Sequence, residues 1–127
     1  KNGLKPMARI ASFAVSGCKP ETMGLGPIFS SRKALSRAGI TSQDLSVIEV
    51  NEAFATQSIA SLRDLDLDPA TVNVDGGAIA IGHPLGATGA RITGKAAQIL
   101  QRDGGRYALS TQCIGGGQGI ATVLEAV

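Results

Sequence analysis

Histidine, cysteine and aromatic residues are scarce in this sequence. Its 127 residues include one histidine, two cysteines, one tyrosine, three phenylalanines and no tryptophan. Two distant cysteines make no disulfide framework and lack metal-ligand spacing, so no metal is expected and a reducing compartment is the default. The 3% aromatic content, with no basic run between aromatics, argues against a nucleic-acid-stacking surface. Few side chains therefore remain as candidates for chemistry.

A strong net charge and a long apolar run are also missing. The formal charge is only +2, and the Lys and Arg residues are scattered, which argues against phosphate-backbone binding. The apolar runs are short and interrupted, so no membrane span is predicted. No signal peptide is visible and the chain starts at Lys1, so we expect a piece of a longer protein. The expected location is cytoplasmic, with an organelle left open.

The residues that are present describe one globular domain. An apolar share of 43% and a charged share of 17% are typical of a folded chain with its own core. The 17 glycines are about twice the usual number, and they cluster in residues 75–91 and 113–117. Clustered glycines indicate tight turns and close backbone approach.

Hydrophobic periodicity predicts alternating strands and helices. Strands are expected at residues 8–16, 46–50, 71–74, 106–112 and 120–124, and helices at 28–38, 53–65 and 85–101. Residues 1–7 are interpreted as a linker, and the second helix is expected to bury Phe54, Ile59 and Leu62. The order β-α-β-α-β-α-β-β predicts an α/β fold, a mixed sheet covered by helices with right-handed crossovers. The final two strands are expected to form an antiparallel pair.

His83 is the first candidate for chemistry. A lone histidine is as often a packing residue as a functional one. Here it stands between Gly82 and Pro84 on a loop that enters a helix, where a rigid backbone can aim a side chain. Asn51 and Glu52 follow a strand, at the edge of an α/β sheet where ligands usually bind.

Cys113 is the second candidate. It ends a strand, and three consecutive glycines, residues 115–117, begin two positions later. Such a turn can present several N–H groups together as an oxyanion site, and a nearby thiol can serve as base, acid or nucleophile. The alternative is a small buried hydrophobe, which is the interpretation we keep for Cys18.

A phosphate-binding loop is the competing interpretation of the glycine segment. The residues after its glycines are Ala90 and Arg91 rather than Lys and Ser or Thr, so the P-loop pattern fails. The Gly82–Gly86 stretch does not fit the dinucleotide-binding pattern either, and Pro84 would stiffen the turn at the wrong place. A nucleotide-phosphate binder is therefore the weakest hypothesis.

Several motifs in a fixed order resemble a known family. They are Asn-Glu-Ala-Phe at 51–54, Gly-Gly-Ala-Ile-Ala-Ile-Gly-His-Pro at 76–84, Gly-Ala-Thr-Gly-Ala-Arg at 86–91 and Cys-Ile-Gly-Gly-Gly at 113–117. Together they resemble the C-terminal half of a thiolase, from about Ala8 to the end of the chain. The resemblance implies a five-layered αβαβα fold of two similar halves, with residues 1–127 as the second. It also implies acyl transfer between an acyl-CoA and acetyl-CoA through an acyl-cysteine intermediate.

The resemblance implies a role for each motif residue. His83 matches the histidine that activates the nucleophilic cysteine and, with a water held by Asn51, forms an oxyanion hole. Cys113 matches the cysteine that removes and returns the α-proton of acetyl-CoA, and Gly115 the glycine whose N–H joins a second oxyanion hole. The positions that match the acyl and pantetheine pocket are Met23, Ala53 and Phe54. Glu52 is the alternative base, but in the family pattern it orients its neighbours.

One departure limits the expected activity. The family's acylated cysteine and much of its CoA-binding region lie in the N-terminal half, so this chain alone is expected to be inactive. The expected partners are CoA thioesters, an N-terminal thiolase domain and, for the complete protein, further copies of itself; no covalently bound cofactor is expected. Asn51 fits acetyl-CoA acetyltransferases and 3-ketoacyl-CoA thiolases equally. The alternative is a catalytically idle assembly domain of the same fold.

Overall fold

A computed structural model describes residues 2–127, and Lys1, the first residue of the predicted linker, lies outside them. Four strands are present, β1 (Arg9–Gly17), β2 (Leu45–Val50), β3 (Tyr107–Ile114) and β4 (Gln118–Glu125). The α-helices are α1 (Gly26–Ala38), α2 (Ala55–Asp64), α3 (Ala78–Ile81) and α4 (Thr88–Asp103). Short 3-10 helices occupy Pro20–Leu25, Ser42–Asp44 and Pro69–Thr71. No helix among residues 2–127 is long and apolar enough to cross a bilayer.

The four strands form one mixed sheet in the order β1-β4-β3-β2. β2 and β3 run parallel, whereas β4 is antiparallel to both of its neighbours. The β3–β4 pair is the predicted hairpin, with Ile114 opposite Gln118 and three glycines between them. The α/β prediction and the mixed sheet are confirmed, since α2, α3 and α4 provide the crossover between the two parallel strands.

Helices cover both faces of the sheet, as alternation along the strands requires. On one face α4 packs on Val47, Ala108 and Leu124. On the other face α1 packs on residues that include Leu109 and Val123. The buried residues of α4 are Thr88, Ile92, Ala96, Ala97, Ile99 and Leu100. Gly39 and Gly104 end α1 and α4 in the left-handed conformation, with φ of 70° and 74°, which glycine adopts readily at helix C-termini.

The predicted strand at residues 71–74 is wrong. Thr71 belongs to a 3-10 helix, and only Val72 pairs with the sheet, through one isolated parallel bridge to Ile48. The backbone turns away immediately afterwards, because Asn73 adopts a left-handed φ of 51°. The glycine segment also contains a helical turn, α3, where the sequence predicted only loop, and the following helix begins at Thr88 rather than residue 85.

The predicted apolar side of α2 is also wrong in part. Its buried residues are Gln57, Ser58 and Ser61, while Ile59 is half exposed and Phe54 is 59% exposed. These residues are buried because the 3-10 helix Pro20–Leu25 packs closely on their side of α2. The approach is close at Gly24, where an added Cβ would lie 2.9 Å from Cγ of Gln57. Leu62 does pack against the core as predicted.

The sheet has one covered edge and one open region. Lys33 and Arg37 of α1 donate hydrogen bonds to the carbonyls of Val15 and Phe13 on the edge strand β1, at 3.2 and 2.7 Å. On the α4 side of the sheet, however, α4 lies over β2 and β3 and leaves β1 bare. The exposed apolar side chains there are Ile10, Phe13 and Val15, at 63%, 61% and 44% exposure. We call these three residues the open apolar face.

Candidate active site

The predicted site residues Asn51 and Cys113 lie at the same edge of the sheet. Asn51 follows β2 directly and donates its backbone N–H to the carbonyl of Thr111 on the parallel strand β3, at 2.9 Å. Cys113 is two residues further along β3. This edge is formed by the carboxyl ends of two parallel strands, where α/β proteins place their ligands.

His83 reaches the same edge from the loop after α3. Its Nε2 lies 3.3 Å from Nδ2 of Asn51, and its Nδ1 lies 2.7 Å from Oγ1 of the fully buried Thr88. Gly82, with φ of 92°, makes the turn that presents the ring. The structure therefore brings His83 and Asn51 into direct contact.

The hydrogen bonds around His83 favour one neutral tautomer. Thr88 Oγ1 lies 3.0 Å from the carbonyl of Pro84, and when its only proton is donated there, the oxygen accepts from His83. In that tautomer the ring proton is on Nδ1, and Nε2 accepts from the Asn51 amide. Nε2 is then the unprotonated ring nitrogen at the sheet edge. Oδ1 of the fully buried Asn51 accepts no hydrogen bond from residues 2–127.

Glu52 has both of its carboxylate oxygens engaged. One accepts from Nδ2 of Asn73 at 2.8 Å, and the other accepts from the backbone N–H of Ile79 at 2.9 Å. Gly77 packs directly on this carboxylate, because a Cβ added there would lie 2.2 Å from its Cδ. Glu52 thus holds the glycine segment against the Asn51 corner, and its hydrogen bonds argue against a role as a general base.

Cys113 is a half-buried free thiol beside the glycine turn. Burial raises its pKa above the usual thiol range, so the neutral thiol is its resting form. The turn that follows has Gly116 and Gly117 at φ of 83° and 89°, and Gly115 is exposed. Cys18 is brought unexpectedly close to this turn, since its N–H donates to the carbonyl of Gly117 at 2.7 Å.

An open apolar cavity of about 400 Å³ lies between the 3-10 helix Pro20–Leu25 and the start of α2. Met23 and Phe54 line it, as do Leu25 and Gln57. Ala53, the third residue predicted for a pocket, adjoins this cavity in the chain but does not line it. Apolar lining of this kind is typical of pockets that hold the apolar part of a ligand.

Two residues that organise the site were not identified from the sequence. Thr88 fixes the His83 ring, but as the first residue of a helix it has the ordinary appearance of a start signal. Asn73 binds Glu52 from a position predicted to be mid-strand. The motif at 86–91 that contains Thr88 does not show that this residue binds His83, and no motif around Asn73 reveals its partner 21 residues earlier in the chain. Among residues 2–127, no three His, Cys, Asp or Glu side chains are grouped so as to hold a metal ion.

Comparison with known proteins places these features in a family. The family model described as "Thiolase, C-terminal domain" matches residues 4–126. The chain is 54% identical over its full length to the beta-ketothiolase of Cupriavidus necator, and covers 32% of that protein. It is 54% identical to the acetyl-CoA acetyltransferase of Paracoccus denitrificans, with 98% of the chain covering 32% of that protein.

The solved structures agree with the sequence relatives. The crystal structure of human mitochondrial 3-ketoacyl-CoA thiolase in complex with CoA matches 97% of this chain with a TM-score of 0.95 and 51% identity. The match covers 31% of that chain, so this sequence spans about one third of the length of the proteins it resembles. The family model, the sequence identity and the fold agree, and the chain belongs to the thiolase family, as a thiolase C-terminal domain.

Proposed function

We propose that this chain is the C-terminal catalytic part of a thiolase, which transfers an acyl group between an acyl-CoA and acetyl-CoA. The observation that carries the proposal is the contact between Asn51 and His83 at the sheet edge that also bears Cys113. The substrates are CoA thioesters, and no covalently bound cofactor takes part. In the cleavage direction the substrates are a 3-ketoacyl-CoA and free CoA. The CoA thiol attacks the acyl-cysteine and its proton passes to the released cysteine thiolate, so the products are acetyl-CoA and a shortened acyl-CoA.

His83 serves as the base that activates the nucleophile. Its Nε2 lone pair, released from the Asn51 amide, takes the proton of a cysteine thiol supplied by the N-terminal part, and the resulting thiolate attacks the 3-keto carbon of the substrate. Thr88 supports this role, because its accepted hydrogen bond holds the ring proton on Nδ1. A base positioned in this way contributes about 100-fold to about 10,000-fold to a reaction rate.

Asn51 and His83 also stabilise the enolate of the leaving acetyl group. Enolate oxygen needs neutral or cationic donors aimed at it in a site with little water. Protonated His83 supplies one donor. A water accepted by Asn51 Oδ1 supplies the other, and the unpaired, buried state of that oxygen supports this assignment. The N–H of Gly115 contributes to a second oxyanion hole for the acyl-enzyme carbonyl.

Cys113 returns a proton to the enolate carbon. When the bond between C2 and C3 of the substrate breaks, its electron pair forms the enolate, and the Cys113 thiol then protonates C2 to give acetyl-CoA. The raised pKa of this thiol supports the acid role, because it keeps the proton in place at neutral pH. In the condensation direction the same residue, as a thiolate, removes that proton.

The N-terminal part of the enzyme is expected to cover the open apolar face. Relatives are about three times longer than this chain, so most of their length is available to pack here. Exposed Ile10, Phe13 and Val15 form an apolar surface that gains free energy when covered. Without that part neither the nucleophile nor the rest of the CoA site is present, and this chain alone is expected to be inactive.

The test is complementation of the chain with the N-terminal two thirds of a thiolase relative, followed by thiolysis of acetoacetyl-CoA. The wild-type assembly should consume this substrate. His83→Ala should lower kcat by about 100-fold or more, because the base and one enolate donor are lost together. Gln101→Ala, at an exposed position on α4, is the matched control and should retain the wild-type rate.

Sedimentation must first show that the wild-type and variant assemblies form equally. Equal activity of correctly assembled wild-type and His83→Ala proteins would remove His83 from the mechanism. A correctly assembled wild-type complex without any thiolysis would favour the second candidate, a catalytically idle assembly domain. The open apolar face is the observation that favours this candidate. The cytoplasmic location and the homo-oligomeric state stay predictions from the sequence.

A further inference from the structure

The carboxamide of Asn73 pairs with the backbone as a neighbouring strand would. Its Oδ1 accepts from the N–H of Val50 at 2.9 Å, and its Nδ2 donates to the carbonyl of the same residue at 2.8 Å. The backbone N–H of Asn73 also donates to the carbonyl of Ile48 at 2.9 Å. One side chain therefore completes the edge of β2 at the position where a fifth strand would have continued.

The same carboxamide forms hydrogen bonds to the residues on both sides of Asn51. Val50 precedes Asn51, and Glu52, which follows it, accepts a second hydrogen bond from Nδ2 of Asn73 at 2.8 Å. The residues on both sides of Asn51 are thus held by a single amide group. A backbone held at two neighbouring points has little freedom to rotate, so the direction of the Asn51 side chain is fixed from outside the site.

Glu52 extends this arrangement to His83. Its other oxygen accepts from the N–H of Ile79, in the short helix α3, and α3 ends directly before Gly82 and His83. Asn73 is therefore connected through Glu52 to the loop that carries the histidine. Nδ2 of Asn51 and Nε2 of His83 lie 3.3 Å apart, and the two loops that carry these residues are joined through the side chain of Glu52.

Asn73 has a backbone conformation that few residue types other than glycine adopt easily. Its φ is 51°, and among residues 2–127 Asp66, with φ of 54°, is the other non-glycine residue with positive φ. Asparagine tolerates this conformation better than most residues. Glycine would satisfy the backbone equally well but has no side chain. Asn73→Gly therefore removes the hydrogen bonds of the carboxamide while it keeps the backbone conformation of the turn.

We propose that Asn73 is a positioning residue for the reaction, and that its carboxamide sets the spacing and orientation of Asn51 relative to His83. The inference rests on the function proposed above. The side-chain hydrogen bonds of Asn73 go to Val50 and Glu52 rather than to His83 or Asn51, so it acts through Val50 and Glu52. Loss of its contacts should weaken catalysis more than substrate binding.

The first test compares Asn73→Gly with Asp66→Gly in the assembly of this chain with the N-terminal part of a thiolase. Asn73→Gly should lower kcat, per correctly assembled site, by about 10-fold to about 100-fold, because small misplacements of catalytic groups have effects of this size. KM for acetoacetyl-CoA should change little. Asp66→Gly makes the same kind of backbone substitution away from the site and should retain wild-type kcat.

A spectroscopic readout distinguishes positioning from a general loss of structure. His83 is the sole histidine of this chain, so histidine-selective ¹⁵N labelling of the chain gives one set of imidazole signals. The wild type should show the Nδ1–H tautomer. Asn73→Gly should shift the signals toward a mixture of tautomers as the Asn51 contact loosens, and Asp66→Gly should not.

A third variant pair tests the link through Glu52. Asn73→Asp places a carboxylate oxygen against the Val50 carbonyl and the Glu52 carboxylate, so it should lower kcat further than Asn73→Gly. Adding Glu52→Gln restores one donor to the pair, because its amide nitrogen can donate to the new carboxylate while its oxygen still accepts from Ile79. The double variant should recover part of the lost kcat.

The outcomes separate this inference from the proposed function. Unchanged kcat and tautomer in a correctly assembled Asn73→Gly protein would overturn the positioning role while leaving thiolase activity in place. An inactive wild-type assembly would overturn the proposed function, and the ¹⁵N signals would still decide whether Asn73 orders the His83 ring. Equal losses in Asn73→Asp and in the double variant would exclude the link through Glu52.

Discussion

Glu49 lies two residues before Asn51 and presents a carboxyl group to the interior. It is 1% exposed, and neither of its carboxylate oxygens accepts a hydrogen bond from residues 2–127. Burial raises its pKa from 4.5 to about 7, while the charges of Arg91 and Lys95 oppose the rise. A buried carboxyl without donors favours its protonated form.

The raised pKa of Glu49 predicts a pH-dependent stability. Because the folded-state pKa lies above the unfolded value of 4.5, the stabilising contribution is complete below about pH 4.5 and is lost as the pH rises through about 7. The neutral amide of Glu49→Gln does not titrate, so the variant keeps its stability as the pH rises. The difference in free energy of unfolding between the variant and the wild type should therefore change in favour of the variant from pH 5 to pH 8, by up to about 3 kcal/mol.

Urea unfolding of both proteins at pH 5 and pH 8 measures this difference. Glu21→Gln makes the same substitution at an exposed position and is the control. A Glu49→Gln effect of the same size at both pH values would mean that the carboxyl titrates normally in the folded state.

At the residue scale, the sequence predicted the side chains that carry the proposed chemistry and missed those that hold them in place. His83 and Cys113 stand close to glycine or proline residues, and Asn51 opens the Asn-Glu-Ala-Phe motif, so the sequence around each of them is distinctive. Thr88 and Asn73 act through hydrogen bonds to Pro84, Val50 and Glu52. The Asn73 contacts join segments 21 and 23 residues apart, and such pairs form only once the chain has folded.

At the element scale, the contact between α1 and β4 is set by two glycines. Gly26 begins α1 and Gly119 lies in β4, and a Cβ added at Gly119 would come within 2.1 Å of the Gly26 carbonyl carbon. The two backbones therefore touch with no side chain between them. This contact anchors the N-terminal end of α1 on the sheet, beside the glycine turn that follows Cys113.

Alanine substitutions at two glycines, one inside this contact and one outside it, should change the free energy of unfolding in opposite directions. Gly119→Ala must push α1 away from β4, and it should lower the free energy of unfolding by about 1–3 kcal/mol or more. Gly94→Ala, at an exposed position inside α4 with no atom within 4 Å of the added Cβ, should raise it by up to about 1 kcal/mol. Thermal unfolding of the two variants measures both signs, and a neutral Gly119→Ala would contradict the close contact.

Elements with local signals were predictable, and those set by distant contacts were not. The glycine stops of α1 and α4 and the β3–β4 hairpin follow from turn chemistry within a few residues. The absent strand at residues 71–74 depends on Asn73, whose side chain replaces backbone pairing with β2. The orientation of α2 depends on Gly24, which lies 33 residues before Gln57 and shows no signal of that partner.

At the scale of the whole molecule, the sheet is covered unequally. α4 leaves the open apolar face bare, and beside it a cavity of about 190 Å³ lies between α4 and strands β3 and β4, with Gly89, Thr93 and Thr122 among its lining residues. An apolar surface next to a groove between a helix and a sheet is suited to a second packed helix. The chain alone is therefore expected to self-associate.

Phe13→Glu tests this expectation. A charge in the centre of the open apolar face should weaken self-association of the isolated chain and also its assembly with the N-terminal part of a thiolase. Phe29→Glu places the same charge on α1, at an aromatic residue that is 44% exposed, and should affect neither process. Sedimentation velocity measures both. A wild-type chain that stays monomeric at high concentration would contradict the prediction.

The hydrogen bonds from Lys33 and Arg37 to β1 have a consequence for how such association grows. Strand addition at a free sheet edge continues without limit, since each added copy presents a new edge, and the product is a fibre. An apolar face that has been covered by a partner presents no new surface for another copy. Because two basic side chains occupy carbonyls along the β1 edge, polymerisation by strand addition is obstructed while stacking on the open apolar face is not. Assembly of this chain is thereby directed toward closed complexes of limited size.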